Sequence, residues 1–91
     1  MTYDEQVQVV ARRCAAVQGA GGVFAFYYDN ADRWGAEAAG RIGGGPTIRL
    51  AAASLFARLY GKRPDEYARE HGDDELLRAT EGLEEEGAEY D

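Results

Sequence analysis

Carboxylates concentrate in the last third of the chain, at spacings that could form a charged binding surface. Residues 64–91 hold twelve acidic residues and two arginines. On a helix such carboxylates lie several Å apart, which is comparable to the spacing of successive phosphates in nucleic acid. We therefore predict a partner-binding surface here, aided by Tyr67. The predicted acidic members are Asp65, Glu66, Glu70, Asp73, Asp74 and Glu75.

The charge is distributed very unevenly along the chain. Residues 1–37 carry a net −2, residues 38–63 carry +5 and residues 64–91 carry −10, which together give the total of −7. Such an uneven charge distribution gives information about which partners the protein attracts, and it does not predict the fold. It predicts a protein partner with a basic surface, which would meet the acidic end of the chain.

The basic segment 41–63 supports an alternative, a nucleic-acid-binding module with an acidic autoinhibitory tail. Two observations count against it. Arg49 and Arg58 are nine positions apart, about 180° around a helix, so they form no single basic stripe. The net charge of −7 also opposes long-range attraction to phosphate, so we expect no direct nucleic-acid contact.

The residue types needed for catalysis or metal binding are scarce. Cys14 and His71 are the only cysteine and histidine, so one chain cannot assemble a zinc site of nitrogen and sulfur ligands. The glycine runs at 19–22 and 43–45 lack the Lys-Ser/Thr ending of a phosphate-binding loop. The acids at 73–75 do not follow the calcium-loop spacing. We predict a protein that is not an enzyme and has no catalytic residues, metal or cofactor.

Length and composition predict a single domain in the cytoplasm. Ninety-one residues suit one domain, which we expect to span residues 1–80, followed by an acidic, frayed tail over 81–91. A lone cysteine forms no internal disulfide. No run of about 18 apolar residues occurs, and the acidic start is unlike a signal peptide. We expect no membrane contact.

Helices are predicted on both sides of the centre of the chain. Thr2 and Glu5 form a capping-box pattern, and an apolar stripe then predicts a helix over residues 3–18. A second helix is predicted after Thr47 and ends at Gly61. A third begins at Pro64 and ends before residue 72, and a fourth is allowed after Asp73 or Asp74.

A run of aromatic residues, VFAFYY at 23–28, has the composition of a β-strand. A single strand needs a partner, and residues 33–42 alternate apolar and polar side chains with a period of two. A loop over 29–33 brings the apolar residues of both strands onto one face. The predicted pairs are Tyr28 with Trp34, Phe26 with Ala36 and Phe24 with Ala38.

This hairpin predicts two different faces. Phe24, Phe26 and Tyr28 are expected in the core, whereas Tyr27 and Glu37 lie on the opposite, mixed face, where a partner could also dock. An alternative makes residues 32–42 a helix, although two glycines in it would cost about 1 kcal/mol each. The glycines at 43–45 are expected to form a flexible hinge.

These elements predict a small α+β fold in the order α-β-β-α-α, with a further helix allowed, and a two-stranded antiparallel hairpin packed against the helices. The edge of the strand at 33–42 could pair with a copy of itself. A homodimer, or a homo-oligomeric assembly protein, is therefore another alternative.

The function predicted from these observations is non-enzymatic binding. In size and charge the chain resembles the small inhibitors made by phages and mobile elements, including anti-CRISPR proteins. That resemblance implies an inhibitor that occupies the basic, nucleic-acid-binding surface of a partner, such as a member of a nucleic-acid-handling complex. Neutralising five acids is expected to abolish binding without changing the circular dichroism spectrum. The five are Asp65, Glu66, Glu70, Asp73 and Asp74.

Overall fold

The structure, a computed structural model, describes residues 1–19, 24–28 and 33–86, which form four α-helices and a three-stranded antiparallel sheet. The predicted α+β class is confirmed. Most of the predicted loop at 29–33 and residues 87–91 of the predicted tail lie outside the described residues. The elements are α1 Tyr3–Ala16, β1 Ala25–Tyr28, β2 Trp34–Ala38, β3 Arg41–Gly45, α2 Ile48–Tyr60, α3 Pro64–His71, α4 Asp74–Ala79 and a 3₁₀ turn, Glu84–Glu86.

The sheet has a third strand that the sequence did not predict. The predicted single strand over 33–42 is interrupted at Ala39 and Gly40, whose φ values of 51° and 74° form a tight two-residue turn. The chain then returns as β3, so the order is α-β-β-β-α-α-α and the sheet order is β1-β2-β3. The predictions of a two-stranded hairpin and of a hinge at 43–45 are wrong, and so is the alternative helix over 32–42.

Two of the three residue pairs predicted between the first two strands are confirmed. Tyr28 lies opposite Trp34 and Phe26 lies opposite Ala36. Phe24 and Phe26 are half-buried against the core, but Tyr28 is 56% exposed, so its predicted core position is wrong. Tyr28 sits at the end of an edge strand, where its ring contacts Trp34 edge-on with ring centroids 5.1 Å apart.

Helix α2 packs so closely on β3 that the strand has no room for side chains at Gly43 and Gly45. A Cβ atom added to Gly43 would lie 2.2 Å from the backbone nitrogen of Leu55. One added to Gly45 would lie 2.9 Å from Leu50 Cβ. Because glycine presents only its Cα, the helix backbone can approach the sheet directly. The glycine run is therefore a packing surface.

The other helices surround α2. All residues of α2 from Arg49 to Phe56 are buried, and α1 packs against both α2 and α4. The predicted Thr2–Glu5 capping box is confirmed at the start of α1. Cys14 of α1 is fully buried with its Sγ 3.8 Å from the Ala52 oxygen, and burial raises the pKa of its thiol to about 12. This thiol is therefore a core side chain rather than a nucleophile.

The contact between α2 and β3 predicts a large difference between neighbouring glycines. Gly43→Ala should lower the free energy of unfolding by about 3 kcal/mol, because the new methyl group overlaps helix backbone that cannot rotate away. Gly44→Ala is the matched control. Its Cβ would meet nothing closer than 3.5 Å, so a change within about 1 kcal/mol is expected. Urea unfolding followed by circular dichroism measures both, and equal stabilities would contradict the packing described.

Candidate functional site

The predicted acidic residues differ in how many hydrogen bonds and ion pairs their carboxylates form with other residues of the chain. Asp65, at the start of α3, has a side chain only 9% exposed. It accepts hydrogen bonds from Arg63 Nη2 at 3.3 Å and from the Glu66 backbone nitrogen at 3.0 Å, and Arg69 Nη2 lies 3.9 Å away. Asp65 is thus engaged by its own helix and its surroundings.

Asp73 and Glu75 are held by an arginine from α1. Asp73 caps α4 by accepting from the Leu76 backbone nitrogen at 3.2 Å, and both of its carboxylate oxygens accept from Arg13. Arg13 Nη2 also donates to Glu75 Oε1 at 3.1 Å. The hydrogen bond from Arg13 holds the pKa of Asp73 below its ordinary value. These contacts join the first helix to the fourth.

The remaining acids of α3 and α4 are more accessible. Glu70 forms a salt bridge with Lys62 between two largely exposed side chains, and the hydrogen bond from Lys62 lowers the pKa of Glu70. Glu66 and Asp74 are exposed, and neither forms a salt bridge with any described residue. These last two carboxylates are the predicted acids most open to a partner.

Tyr67 belongs to an aromatic cluster rather than standing out from the surface. Its ring stacks on His71 with centroids 4.0 Å apart, and it contacts Phe56 and Tyr60 edge-on at 5.3 and 5.1 Å. The side chain is half-buried. Its main role in the structure is to pack α3 against α2.

Tyr27 and Glu37 lie on the outer face of the sheet, which is the face turned away from α2. Tyr27 is 41% exposed and its ring covers Gly35, where an added Cβ would lie 2.3 Å from the ring. Glu37 lies opposite Ala25 on one side and Ile42 on the other. The structure therefore separates these two residues from the acids of α3 and α4.

A concave surface with several carboxylates lies between α3 and the segment that follows α4. It encloses about 310 Å³, and Glu81, Glu84 and Glu85 on it are all exposed. We call it the acidic concavity. Its lining residues are Asp65, Arg69, Leu77, Thr80, Glu81, Gly82, Leu83, Glu84 and Glu85.

A buried arginine holds the acidic concavity in place. Arg49 is 4% exposed, and its Nε donates to Glu86 Oε2 at 2.5 Å. Its Nη1 donates to the backbone oxygens of Ala79 at 3.3 Å and Glu81 at 2.6 Å. Tyr3 also donates to Glu86, at 3.0 Å, and its ring lies beneath the guanidinium of Arg49. The chain around residues 79–86 is therefore tied to α1 and α2.

Leu83 provides the apolar part of the same attachment. It is 1% exposed and packs with Leu50 and Ala53 of α2. The spacing of Leu76, Ala79 and Leu83, at three and four positions, is the sequence signal that indicates a shared buried side. The contact between Arg49 and Glu86 joins residues 37 positions apart, so the local pattern of carboxylates at 81–86 predicts only an acidic tail.

Arg49 also bears on the hypothesis of a basic nucleic-acid surface. Its side chain is enclosed and bonded to Glu86, so it is unable to reach a phosphate. Lys62 is paired with Glu70, and Arg63 with Asp65. Of the five basic residues in this segment, Arg41 and Arg58 are exposed and form no ion pair with a described residue.

Across residues 1–19, 24–28 and 33–86, no group of three or more His, Cys, Asp or Glu side chains could hold a metal ion. Within the same residues, no helix has the length and apolar character needed to cross a membrane.

Comparison of the chain with protein-family models, curated proteins and solved structures finds no match.

The arrangement around Arg49 predicts strong destabilisation when its charge is removed. Arg49→Met should lower the free energy of unfolding by about 3 kcal/mol, because Glu86 and two backbone oxygens lose a buried donor. Arg58→Met, on an exposed position of the same helix, is the control and should change it by less than about 0.5 kcal/mol. Thermal and urea unfolding measure the difference, and similar values for both variants would contradict the role assigned to Arg49.

The Arg13–Asp73 contact predicts a pH-dependent effect of Asp73→Asn. The pKa of Asp73 is lowered in the folded protein, so its stabilisation is present above the ordinary value of 3.8 and is lost as pH falls through the folded-state pKa. At neutral pH the variant should be about 1 kcal/mol less stable, and the difference should shrink in acid. Asp74→Asn, exposed and outside this ion pair, should show little effect at either pH. A difference that is constant with pH would contradict the assignment.

Proposed function

We propose that this protein is a small, acidic, non-enzymatic binding protein that acts as an inhibitor by occupying a basic, nucleic-acid-binding surface of a partner protein. The observation that carries the proposal is the acidic concavity, where three exposed glutamates are held in position by the attachment of residues 79–86. The net charge of −7 supports it, as does the resemblance in size and charge to phage-type inhibitors, including anti-CRISPR proteins.

The lining of the acidic concavity suits an arginine or lysine side chain. Carboxylates at Glu81, Glu84 and Glu85 can accept charge-assisted hydrogen bonds from a guanidinium, which are stronger than neutral ones. Leu77, 36% exposed, offers an apolar contact for the aliphatic stem of such a side chain. The surface thus matches both parts of a long basic residue.

The exposed acids of α3 and α4 extend this negative surface. Glu66 and Asp74 would contribute mainly to the rate of association, since exposed charges steer a partner of opposite sign without adding much affinity. Such steering is screened by salt, with a Debye length of about 8 Å at physiological ionic strength. The proposed complex should therefore be sensitive to salt.

The two alternatives are less well supported. Arg49, one of the basic residues of segment 41–63, is buried and cannot contact nucleic acid. Direct binding of nucleic acid is therefore not part of the proposal. Self-pairing of the predicted strand at 33–42 conflicts with the observed sheet. Residues 34–38 of that strand form β2, which is the central strand, and both edges of β2 are already paired with β1 and β3. A cytoplasmic location, consistent with the single buried thiol, belongs to the proposal.

The test uses a variant that leaves the ion pairs of Asp65, Asp73 and Glu86 intact. It removes one contact at the surface, between Arg63 Nη2 and the exposed Glu84 Oε1, which lie 3.7 Å apart. Neutralising Asp65 and Asp73, as the sequence suggested, would remove contacts that hold α3 and α4 and would confuse binding with stability. Glu81→Gln, Glu84→Gln and Glu85→Gln together alter only exposed carboxylates of the acidic concavity. The control neutralises two exposed acids outside this negative surface, Asp4 on α1 and Glu37 on β2.

The natural protein and both variants would be immobilised and exposed to lysate of the native host, and bound proteins would be eluted with a salt gradient and identified. We expect the natural protein and the control to capture a nucleic-acid-handling protein that elutes at moderate salt, and the concavity variant to lose it. Added nucleic acid should compete for the captured protein. Capture that survives in the concavity variant, or capture of nucleic acid itself, would contradict the proposal.

A further inference from the structure

A second surface lies in a groove between α1 and strand β1. It encloses about 260 Å³, and its lining residues are Gln8, Ala11, Arg12, Ala15, Phe24 and Phe26. Helix α2 packs on β2 and β3, so it leaves these two phenylalanines only half-buried. The groove therefore has an apolar floor beside an edge strand.

The backbone of β1 is oriented to accept another strand. In an antiparallel ladder, residues alternate between those that bond to one neighbour and those that bond to the other. The Gly44 backbone nitrogen donates to Ser54 Oγ at 3.3 Å, so Gly44 is turned away from β2. Gly35, its partner in the register, must then bond to Tyr27 of β1. Phe26, the next residue towards the start of β1, consequently directs its N–H and C=O away from β2.

The two edges of the sheet are therefore not equivalent. On β3, the outward N–H of Gly44 is already bonded to Ser54 of α2. On β1, no backbone group of a described element pairs with the outer edge at Phe26. An exposed strand edge beside a hydrophobic groove is the arrangement in which extended peptides add to a sheet.

The groove continues along α1 into an acidic region. A second concavity of about 290 Å³ shares Gln8 and Arg12 with the first and is also lined by Asp4, Glu5 and Glu75. Glu5 is used in the capping box and Glu75 is bonded to Arg13, whereas Asp4 forms no ion pair with a described residue. Asp4 is therefore the carboxylate of this concavity that is open to a basic side chain.

We propose that the groove binds an extended segment of a protein partner, which adds antiparallel to β1 as a further strand. Its apolar side chains would pack on Phe24 and Phe26, and a neighbouring basic side chain would lie by Asp4. A second copy of this chain fits less well, because β1 spans AFYY without a basic residue and each copy carries −7. The proposal does not depend on the acidic concavity, which lies on α3 and the segment after α4.

The test uses NMR of the full chain titrated with a short synthetic peptide, Lys-Lys-Val-Thr-Val-Thr-Val-Thr, and with a counterpart in which glutamates replace the lysines. We expect saturable shifts in the amides of Phe26 and Ala11, with the lysine peptide binding about tenfold more tightly because of the open carboxylate of Asp4. Ala15→Trp should fill the groove and weaken binding at least about tenfold. Ala16→Trp, on the exposed neighbour outside the groove, is the matched control and should bind normally.

Several results would overturn this inference. One is the absence of saturable shifts on β1, and another is shifts confined to α3 and the segment after α4. Equal affinity for the two peptides would show that the bound segment needs no basic residue, and this would contradict the role proposed for Asp4. Concentration-dependent dimerisation that is lost in Ala15→Trp would assign the groove to a second copy of the chain instead. Because the peptides are tested without any captured protein, failure here leaves the test of the acidic concavity unaffected.

Discussion

The close contact of helix α2 with the glycines of β3 is the constraint on which the other elements depend. Gly43 and Gly45 lack the methyl group that would overlap Leu55 and Leu50, so the helix lies directly on the sheet. Because α2 is placed so deeply, its remaining sides are available to α1 and to Leu83, and almost every residue of its first half is buried. A chain of this length has little other apolar surface with which to stabilise a core.

Arg49 explains how an acidic segment can be held against this core. Burying a guanidinium is costly unless each of its donors finds a partner. Here Glu86, Ala79 and Glu81 supply the acceptors, and Tyr3 covers the charge. These hydrogen bonds from the arginine hold residues 79–86, which follow or end α4, against α1 and α2. The exposed carboxylates at 81–85 gain defined positions as a consequence, and the proposed binding surface depends on that order.

The excess of acidic residues serves two separate purposes. Asp65 is bonded to Arg63 at the start of its own helix, and Asp73 is bonded to Arg13 and joins α4 to α1, whereas Glu66 and Asp74 remain accessible to solvent. Both proposed docking surfaces combine accessible carboxylates with an apolar contact. They differ in the groups that a partner could bind. The acidic concavity presents side chains alone, whereas the groove beside α1 also presents the backbone N–H and C=O groups at the outer edge of β1.

Local patterns in the sequence determined the helices, their caps and the pairing of Phe26 with Ala36, because these depend on spacing and on residues close along the chain. The third strand was missed since glycines weaken a strand locally, and only the approach of α2 explains their presence in β3. Likewise, nothing near Arg49 in the chain indicates whether its guanidinium faces water or Glu86. Tertiary structure decided which charges are structural and which can meet a partner, because that depends on contacts between residues distant in sequence.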